Sequence, residues 1–171
     1  DKECTPKGGT RRQKWVAAVI AAFPVASYGS CQHNTDLEAG ETIATLPGRI
    51  SLAKKNRMAL AFEAGTEKDY MTAITWEALL SGAVPVILGA ANTMEILPAN
   101  SAIDAKKFQS WDTMAAYVKL VSENKTLWES HQAWRNDETE LAAFEKRFNF
   151  TKTTPECRMC RWAYAKMYGL G

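Results

Sequence analysis

A polar loop, Glu63–Thr72, carries the side chains of this sequence that are best placed to do chemistry. It follows the apolar run Met58–Phe62, which predicts a buried strand. Apolar residues at helical spacing over Met71–Ser81 predict a helix, and the apolar run Val84–Leu88 predicts a second strand. Strand, helix and strand within about 30 residues predict a βαβ unit with a parallel sheet.

The position of this loop indicates a binding site, because ligands of open parallel sheets bind beyond the carboxyl ends of the strands, beside helix N-termini. Thr72 would either meet an anion with its hydroxyl and N–H groups or simply cap the helix. The carboxylate of Glu63 would either bind a hydroxyl group of a ligand or hold the loop. Lys68 would either reach a phosphate or remain a solvated charge.

Composition narrows the classes of protein. With 171 residues, 46% hydrophobic and 23% charged, the chain is long enough for one globular domain with a proper core. A net charge of +2 with interspersed signs gives no argument for nucleic acid or an anionic membrane as a partner. No apolar run approaches the roughly 20 residues of a membrane span, and no signal peptide is recognised, so we expect any anchor to lie outside this chain.

The remaining pattern alternates helix and strand and then becomes wholly helical. We predict a helix over Arg11–Ala22, capped by Thr10 and ended by Pro24, and a short strand over Val25–Tyr28 before a long loop. Further predictions are helical turns at Arg49–Lys55, a minor strand at Ser101–Ile103, and helices at 110–123, 127–134, 139–148 and 156–168. The fold class is therefore α/β, a parallel sheet flanked by helices, with a helical C-terminal tail.

The cysteines and the N-glycosylation triplets of the sequence indicate the kind of cellular compartment in which the protein folds. The cysteines are Cys4, Cys31, Cys157 and Cys160. Four cysteines permit two disulfides in three connectivities; they could also bind zinc, but a single C-x-x-C pair argues against a zinc site. Two triplets match the N-glycosylation pattern, at Asn124 and Asn149. Together, these features favour an oxidising, secretory compartment.

The central segment resembles the α-1,3-fucosyltransferases. That family carries F-E-N-S, a few residues, then D-Y-V-T-E-K-L-W-x-A-L-x-A-G-x-V-P-V-V-L-G. The positions that match in register are Phe62, Glu63, Asp69, Tyr70, Thr72, Trp76, Ala78, Leu79, Gly82, Val84, Pro85, Val86, Leu88 and Gly89. The segment 25–34 resembles V-D-S-Y-G-K-C-L-H-N of the plant and invertebrate members that fucosylate the N-glycan core, and 157–160 is similar to the family's C-R-L-C.

The resemblance implies a fold of two Rossmann-like domains facing a cleft, of the GT-B type. Residues 1–171 would form the C-terminal domain, which binds GDP-β-L-fucose, and the N-terminal acceptor domain would be absent. That missing domain would supply the catalytic base, so no catalytic residue is expected in this chain, which alone would be inactive. Cys4 with Cys31 is the preferred local disulfide, while Cys157 and Cys160 would lack their usual partners.

The implied reaction is inverting transfer of fucose in α-1,3 linkage to GlcNAc of a glycan acceptor. The implied setting is the Golgi lumen, in a type II membrane protein. The leaving diphosphate would be stabilised by Arg, Lys and a helix N-terminus, without a metal or bound cofactor. By resemblance Arg12 would reach the diphosphate and Tyr70 the nucleotide sugar; a one-residue slip would give Arg11 this role, and solvated or half-buried side chains are the alternatives.

Three positions depart from the family's pattern. Ala64 replaces an Asn that would bind the donor, Ala73 a Glu that would hold the ribose, and Ile74 a Lys that would neutralise the diphosphate. These departures leave three hypotheses open: an active fucosyltransferase with a rebuilt site, an inactive relative that keeps the fold as a binding or structural domain, or a transferase using another sugar nucleotide.

Overall fold

The computed structural model describes residues 9–22 and 24–169; the side chains of residues 9–12, 150 and 151 are outside the description. Its sheet has three parallel strands in the order β1 (Met58–Phe62), β2 (Val84–Leu88) and β3 (Ile103–Asp104). Met58 pairs with Val84 and Val86 with Ile103. The carboxyl ends of all three strands therefore meet at one edge of the sheet.

Helices connect and cover these strands. They are α1 (Gly9–Ala22), α2 (Leu46–Lys54), α3 (Ala73–Ser81), α4 (Thr93–Ile96), α5 (Trp111–Glu123), α6 (Lys125–Ser130), α7 (Glu138–Phe148) and α8 (Pro155–Tyr168). Short 3-10 helices lie at Ala105–Lys107, Ala133–Asn136 and Asn149–Lys152. Side-chain caps fix several starts: the Ser110 and Thr113 side chains form a reciprocal capping box at α5, and the Thr45 hydroxyl caps α2.

Both faces of the sheet are covered, which explains why the strands are apolar throughout rather than alternating. On one face Val84 and Val86 pack with Trp15 and Val19 of α1 and with α5. On the other face Ile87 packs with Leu79 of α3. Gly82 ends α3 with a φ of 86°, a left-handed conformation that suits glycine. The βαβ unit predicted from the sequence is confirmed.

An ion pair docks α2 on α3. The guanidinium of Arg49 donates from Nε at 2.9 Å and from Nη2 at 2.7 Å to the carboxylate of Glu77. Glu77 is buried, with 7% of its surface exposed, so Arg49 supplies the hydrogen bonds that water no longer gives its carboxylate.

Several predicted elements need correction. Val25–Tyr28 is not a strand, because no described strand lies beside it to pair with. Helix α1 begins at Gly9, so Thr10 lies inside it rather than before it. The predicted helix 127–134 is divided: α6 ends at Ser130, and a separate 3-10 turn follows. The minor strand exists but is shorter and shifted: it was predicted over Ser101–Ile103 and covers Ile103–Asp104. The helical tail is confirmed.

Candidate functional site

Glu63 follows β1 directly and lies at the carboxyl edge of the sheet. Only 6% of its surface is exposed. Its Oε1 accepts hydrogen bonds from the Thr72 backbone N at 3.0 Å and from Thr75 Oγ1 at 3.2 Å. The carboxylate therefore joins the end of β1 to the start of α3, which is the loop-holding alternative of the sequence analysis.

Gly89, at the end of β2, makes room for this buried carboxylate. A Cβ at position 89 would lie 2.9 Å from Glu63 Cγ, closer than real Cβ atoms approach, and 3.3 Å from Glu63 Cβ, which is tighter than most such contacts. Glycine is required here by the close approach of two neighbouring strand ends rather than by a left-handed turn. The strand end, the helix start and the next strand end thus form one packed unit.

A reciprocal pair of hydrogen bonds joins the loop after β1 to the loop after β2. The Asp69 backbone N donates to Asn92 Oδ1 at 3.0 Å, and Asn92 Nδ2 donates to Asp69 Oδ1 at 2.6 Å. Asp69 has a φ of 67°, a conformation that Asp tolerates better than most residues. The next residue, Tyr70, has 37% of its surface exposed, so Asp69 and Asn92 hold the chain that presents its ring.

Three basic side chains are candidates for binding an anion near this edge of the sheet, and their surroundings differ. Lys68 is exposed and makes no hydrogen bond or ion pair with a described residue. Lys106, which follows β3, donates from Nζ to the Gly89 carbonyl at 3.0 Å and the Ala90 carbonyl at 2.6 Å. Arg12 lies in the first turn of α1, but its side chain is outside the described residues. Its predicted contact with a diphosphate stays a prediction.

The N-terminus of α3 has no capping hydrogen bond from the side chain of its N-cap residue. Thr72 is the N-cap in an extended conformation, yet its hydroxyl makes no capping hydrogen bond. The first backbone donors of the helix, at Ala73 and Ile74, belong to exposed residues. Backbone N–H groups at such a helix end favour an anion. Of the predicted loop residues, Glu63 and Thr72 lie at this helix end. Tyr70 lies two residues before the N-cap, and no contact brings Lys68 to the helix among the described residues.

Sequence reasoning missed three residues of this edge: Thr75, Asn92 and Lys106. Thr75 is completely buried and supports Glu63, but a threonine inside a helix carries no sequence signal of such a role. Asn92 sits in a turn, where asparagine is common for local reasons. Lys106 could have been found, since it lies three residues after the predicted strand Ser101–Ile103, beyond its carboxyl end.

The loop 29–36 contains a titratable pair. His33 Nε2 lies 3.1 Å from Asp36 Oδ1, and the hydrogen bond to this carboxylate raises the pKa of His33 above its ordinary value. Cys31 in the same loop is disulfide-bonded. Cys4 lies outside the described residues, so its pairing with Cys31 stays a prediction.

The C-terminal cysteines and the two sequon asparagines are all accessible. Cys157 and Cys160 are exposed free thiols on α8, so no disulfide joins these two cysteines of the described chain. Asn124 is exposed and caps α6 by accepting from the Leu127 N–H at 3.0 Å. Asn149 is exposed at the start of the last 3-10 helix. Glycosylation of either asparagine remains a prediction.

Within residues 9–22 and 24–169, no three His, Cys, Asp or Glu side chains cluster in a way that would hold a metal ion. None of the helices in the described part of the chain combines the length and apolar character needed to cross a membrane.

A parallel sheet covered on both faces, with loops and an open helix N-terminus at its carboxyl edge, defines a Rossmann-like α/β domain. The model of "Glycosyltransferase family 10 (fucosyltransferase) C-term" matches residues 3–168. The chain belongs to this family of fucosyltransferases, as the central motif predicted.

Individual relatives agree with this assignment. The chain is 30% identical to GDP-fucose protein O-fucosyltransferase 3 of Xenopus laevis, over 93% of this chain and 37% of that protein. It is 32% identical to alpha-(1,3)-fucosyltransferase C of Drosophila melanogaster, over 64% of this chain and 24% of that protein. The chain thus spans about a third or less of these relatives' length.

The fold is also found in solved structures. A crystal structure of an alpha1,3-fucosyltransferase with GDP-fucose matches with a TM-score of 0.63 and 18% identity, over 75% of this chain and 36% of that one. This similarity confirms the predicted GT-B type domain fold.

Proposed function

We propose that this chain is the donor-binding part of a fucosyltransferase that transfers fucose from GDP-β-L-fucose, with inversion, to a hydroxyl group of an acceptor. Family membership supports the fucosyl transfer, and the open N-terminus of α3 supports a binding place for the donor diphosphate. An acceptor domain outside this chain supplies the base. The chain by itself binds the donor but does not transfer it.

The single observation that carries this proposal is the arrangement around Glu63. Its carboxylate accepts hydrogen bonds from the Thr72 N–H and the Thr75 hydroxyl. These bonds hold the start of α3 at the carboxyl edge of the sheet. The hydroxyl of Thr72 makes no capping hydrogen bond. In this proposal the amides of Ala73 and Ile74 donate to the phosphate oxygens instead. As the bond between the anomeric carbon and GDP breaks, charge grows on the diphosphate, where these aligned donors stabilise it.

The acceptor proposed from the sequence is GlcNAc of a glycan, in α-1,3 linkage, within the Golgi lumen. The relatives support transfer of fucose, but they differ in the acceptor that their names imply. One is named alpha-(1,3)-fucosyltransferase and another protein O-fucosyltransferase. A protein acceptor is therefore the competing choice. Assaying the longer protein with a GlcNAc-terminated glycan and with a folded polypeptide acceptor separates the two.

A second candidate function is a domain that keeps the fold without the activity. It is favoured by Ile74, an apolar side chain with 40% of its surface exposed at the helix end where the diphosphate would bind. Each lost hydrogen bond to a charged group is worth about 1.5–3 kcal/mol, so losing the family's Asn, Glu and Lys would weaken donor binding by about 5 kcal/mol or more.

Titration calorimetry of the 171-residue chain with GDP, GDP-fucose and UDP tests these candidates. We expect GDP and GDP-fucose to bind and UDP to bind more weakly. No heat with GDP at millimolar concentration would remove the catalytic proposal and leave the inactive relative. A preference for UDP would instead indicate a transferase that uses another sugar nucleotide.

A further inference from the structure

Three buried polar atoms have no hydrogen-bond partner within the part of the chain that the structure describes. They are Ser101 Oγ, His131 Nε2 and Trp134 Nε1. Only 1% of the surface of Ser101 and 4% of that of His131 is exposed. Most buried polar side-chain atoms in folded proteins bond either to another protein group or to an ordered water molecule. These three atoms therefore need a partner from outside the polypeptide.

Two hydrogen bonds hold residues 100–101 against residues 130–131. The Asn100 Nδ2 donates to the Ser130 carbonyl at 3.0 Å, and His131 Nδ1 lies 2.8 Å from the Asn100 carbonyl oxygen. This carbonyl belongs to the peptide group that joins Asn100 to Ser101, so the imidazole ring lies beside Ser101. The unpartnered atoms of Ser101 and His131 are therefore in the same part of the interior.

Trp134 reaches the same region through the turn that follows α6. His131 ends α6 in a right-handed helical conformation, and Trp134 lies three residues further on, in a 3-10 helix. Side chains three residues apart in such a turn lie on the same side of it. Trp134 also packs against the apolar cluster that contains Ala102, the residue next to Ser101. The indole therefore approaches Ser101 from the same turn as the imidazole.

The hydrogen-bonding capacities of the three atoms complement those of a single water molecule. A carbonyl oxygen can only accept, so His131 Nδ1 donates to Asn100, and Nε2 of the uncharged ring is an acceptor. The Trp134 indole N–H can only donate, and the Ser101 hydroxyl can do both. A water molecule can accept from the indole, donate to the imidazole and bond to the hydroxyl at the same time.

We propose that one buried water molecule binds between Ser101, His131 and Trp134. Buried water molecules in proteins typically make about three hydrogen bonds to groups that otherwise lack partners, as this one does. Ser101 precedes β3, so the site lies at the amino end of that strand, at the opposite edge of the sheet from the proposed donor site. The water molecule joins the chain entering β3 to the turn after α6.

NMR of the 171-residue chain tests the proposal in solution. The indole N–H of Trp134 should show a nuclear Overhauser effect to a long-lived water molecule. The indole N–H of Trp128, which donates to the Arg57 carbonyl at 3.0 Å, is the internal control and should show none. A crystal structure should place a water oxygen within about 3.2 Å of all three atoms. A direct hydrogen bond between Ser101 Oγ and His131 Nε2, with no water beside them, would overturn the proposal.

The variants Ser101→Ala and Trp134→Phe give an independent measurement by urea denaturation. Removing a hydroxyl that binds the water should lower the folding equilibrium constant about fivefold, whereas removing a hydroxyl without any partner should leave it unchanged or raise it. Ser51→Ala, at an exposed position, is the control and should change it little.

The double variant shows whether the two side chains share one water molecule. If they do, Trp134→Phe should cost less in the Ser101→Ala background than in the unmodified chain, because groups in one hydrogen-bond network do not act independently. A neutral or stabilising Ser101→Ala, or two effects on the folding equilibrium constant that simply multiply, would contradict the shared water site.

Discussion

The βαβ unit has a buried half and an exposed half that relate differently to the fucosyltransferase pattern. The buried half keeps the pattern: Glu63, Leu79 and Val86 match it, and each has at most 6% of its surface exposed. The three positions that depart from it are all exposed and lie at or before the N-terminal end of α3. Ala73 and Ile74 are both exposed, and so is Ala64 at the start of the preceding loop.

This difference distinguishes the residues that stabilise the fold from those that would contact GDP-fucose. Core residues are constrained by close packing, where even one extra methylene is felt. Exposed residues at the helix end have no such constraint, so Ile can replace Lys there without disturbing the strands. Family membership and fold therefore do not by themselves guarantee tight binding of GDP-fucose.

Glu63→Ala is the strongest test of the buried half. The substitution leaves the Thr72 N–H and the Thr75 hydroxyl without their acceptor, and a buried unsatisfied donor costs about 1–3 kcal/mol. We expect the free energy of unfolding, measured by urea denaturation, to fall by about 3 kcal/mol. Glu67→Ala, at an exposed position of the same loop, is the control and should change it little. An unchanged stability with lost GDP binding would make Glu63 a donor ligand instead.

Ala73→Glu combined with Ile74→Lys restores the family's residues on the exposed half. The new carboxylate can hold ribose hydroxyls and the new ammonium can pair with the diphosphate. We expect calorimetry to show GDP affinity raised by about tenfold or more, equivalent to about 1.4 kcal/mol, with little change in stability. The control carries the same charges exchanged, Ala73→Lys with Ile74→Glu. If both variants behave alike, the proposed register with the family is wrong.

Asn92→Ala has the smallest expected effect, because it removes only the hydrogen bonds between the loop after β2 and the loop after β1. Two hydrogen bonds to Asp69 are lost, so the Asp69 amide should exchange with solvent at least tenfold faster. Tyr70 is then less well held, and we expect GDP affinity to fall about fivefold, or about 1 kcal/mol. Asn136→Ala, at an exposed asparagine elsewhere, should alter neither quantity. Unchanged exchange at Asp69 would show that the loops are held by other contacts.

Much of the fold could be predicted because its signals are local. The apolar runs of β1 and β2, the helical spacing of α3 and the glycine after it specify the βαβ unit without reference to the rest of the chain. The strand predicted at Val25–Tyr28 failed for the opposite reason. A strand exists only when a neighbour takes up its peptide groups, and that neighbour is not a local property of the sequence.

The sequence predicted where the candidate site lies but not which partner each of its side chains contacts. The loop 63–72 and its place at the carboxyl edge followed from topology and from the resemblance. That Glu63 faces inward to Thr72 and Thr75 could not be read from a carboxylate at a strand end, where a ligand is an equally reasonable partner. The pairing of Asp69 with Asn92 joins residues 23 positions apart, beyond any short-range pattern.

The sequence alone determined the class of fold, the central strand, helix and strand, and the fucosyltransferase family, because periodicity and motif spacing are local properties of the chain. Only the tertiary structure decided that Glu63 supports the helix start and that the Thr72 hydroxyl does not cap that start. These facts depend on which atoms from distant segments come within hydrogen-bonding distance, and only the assembled fold sets those distances.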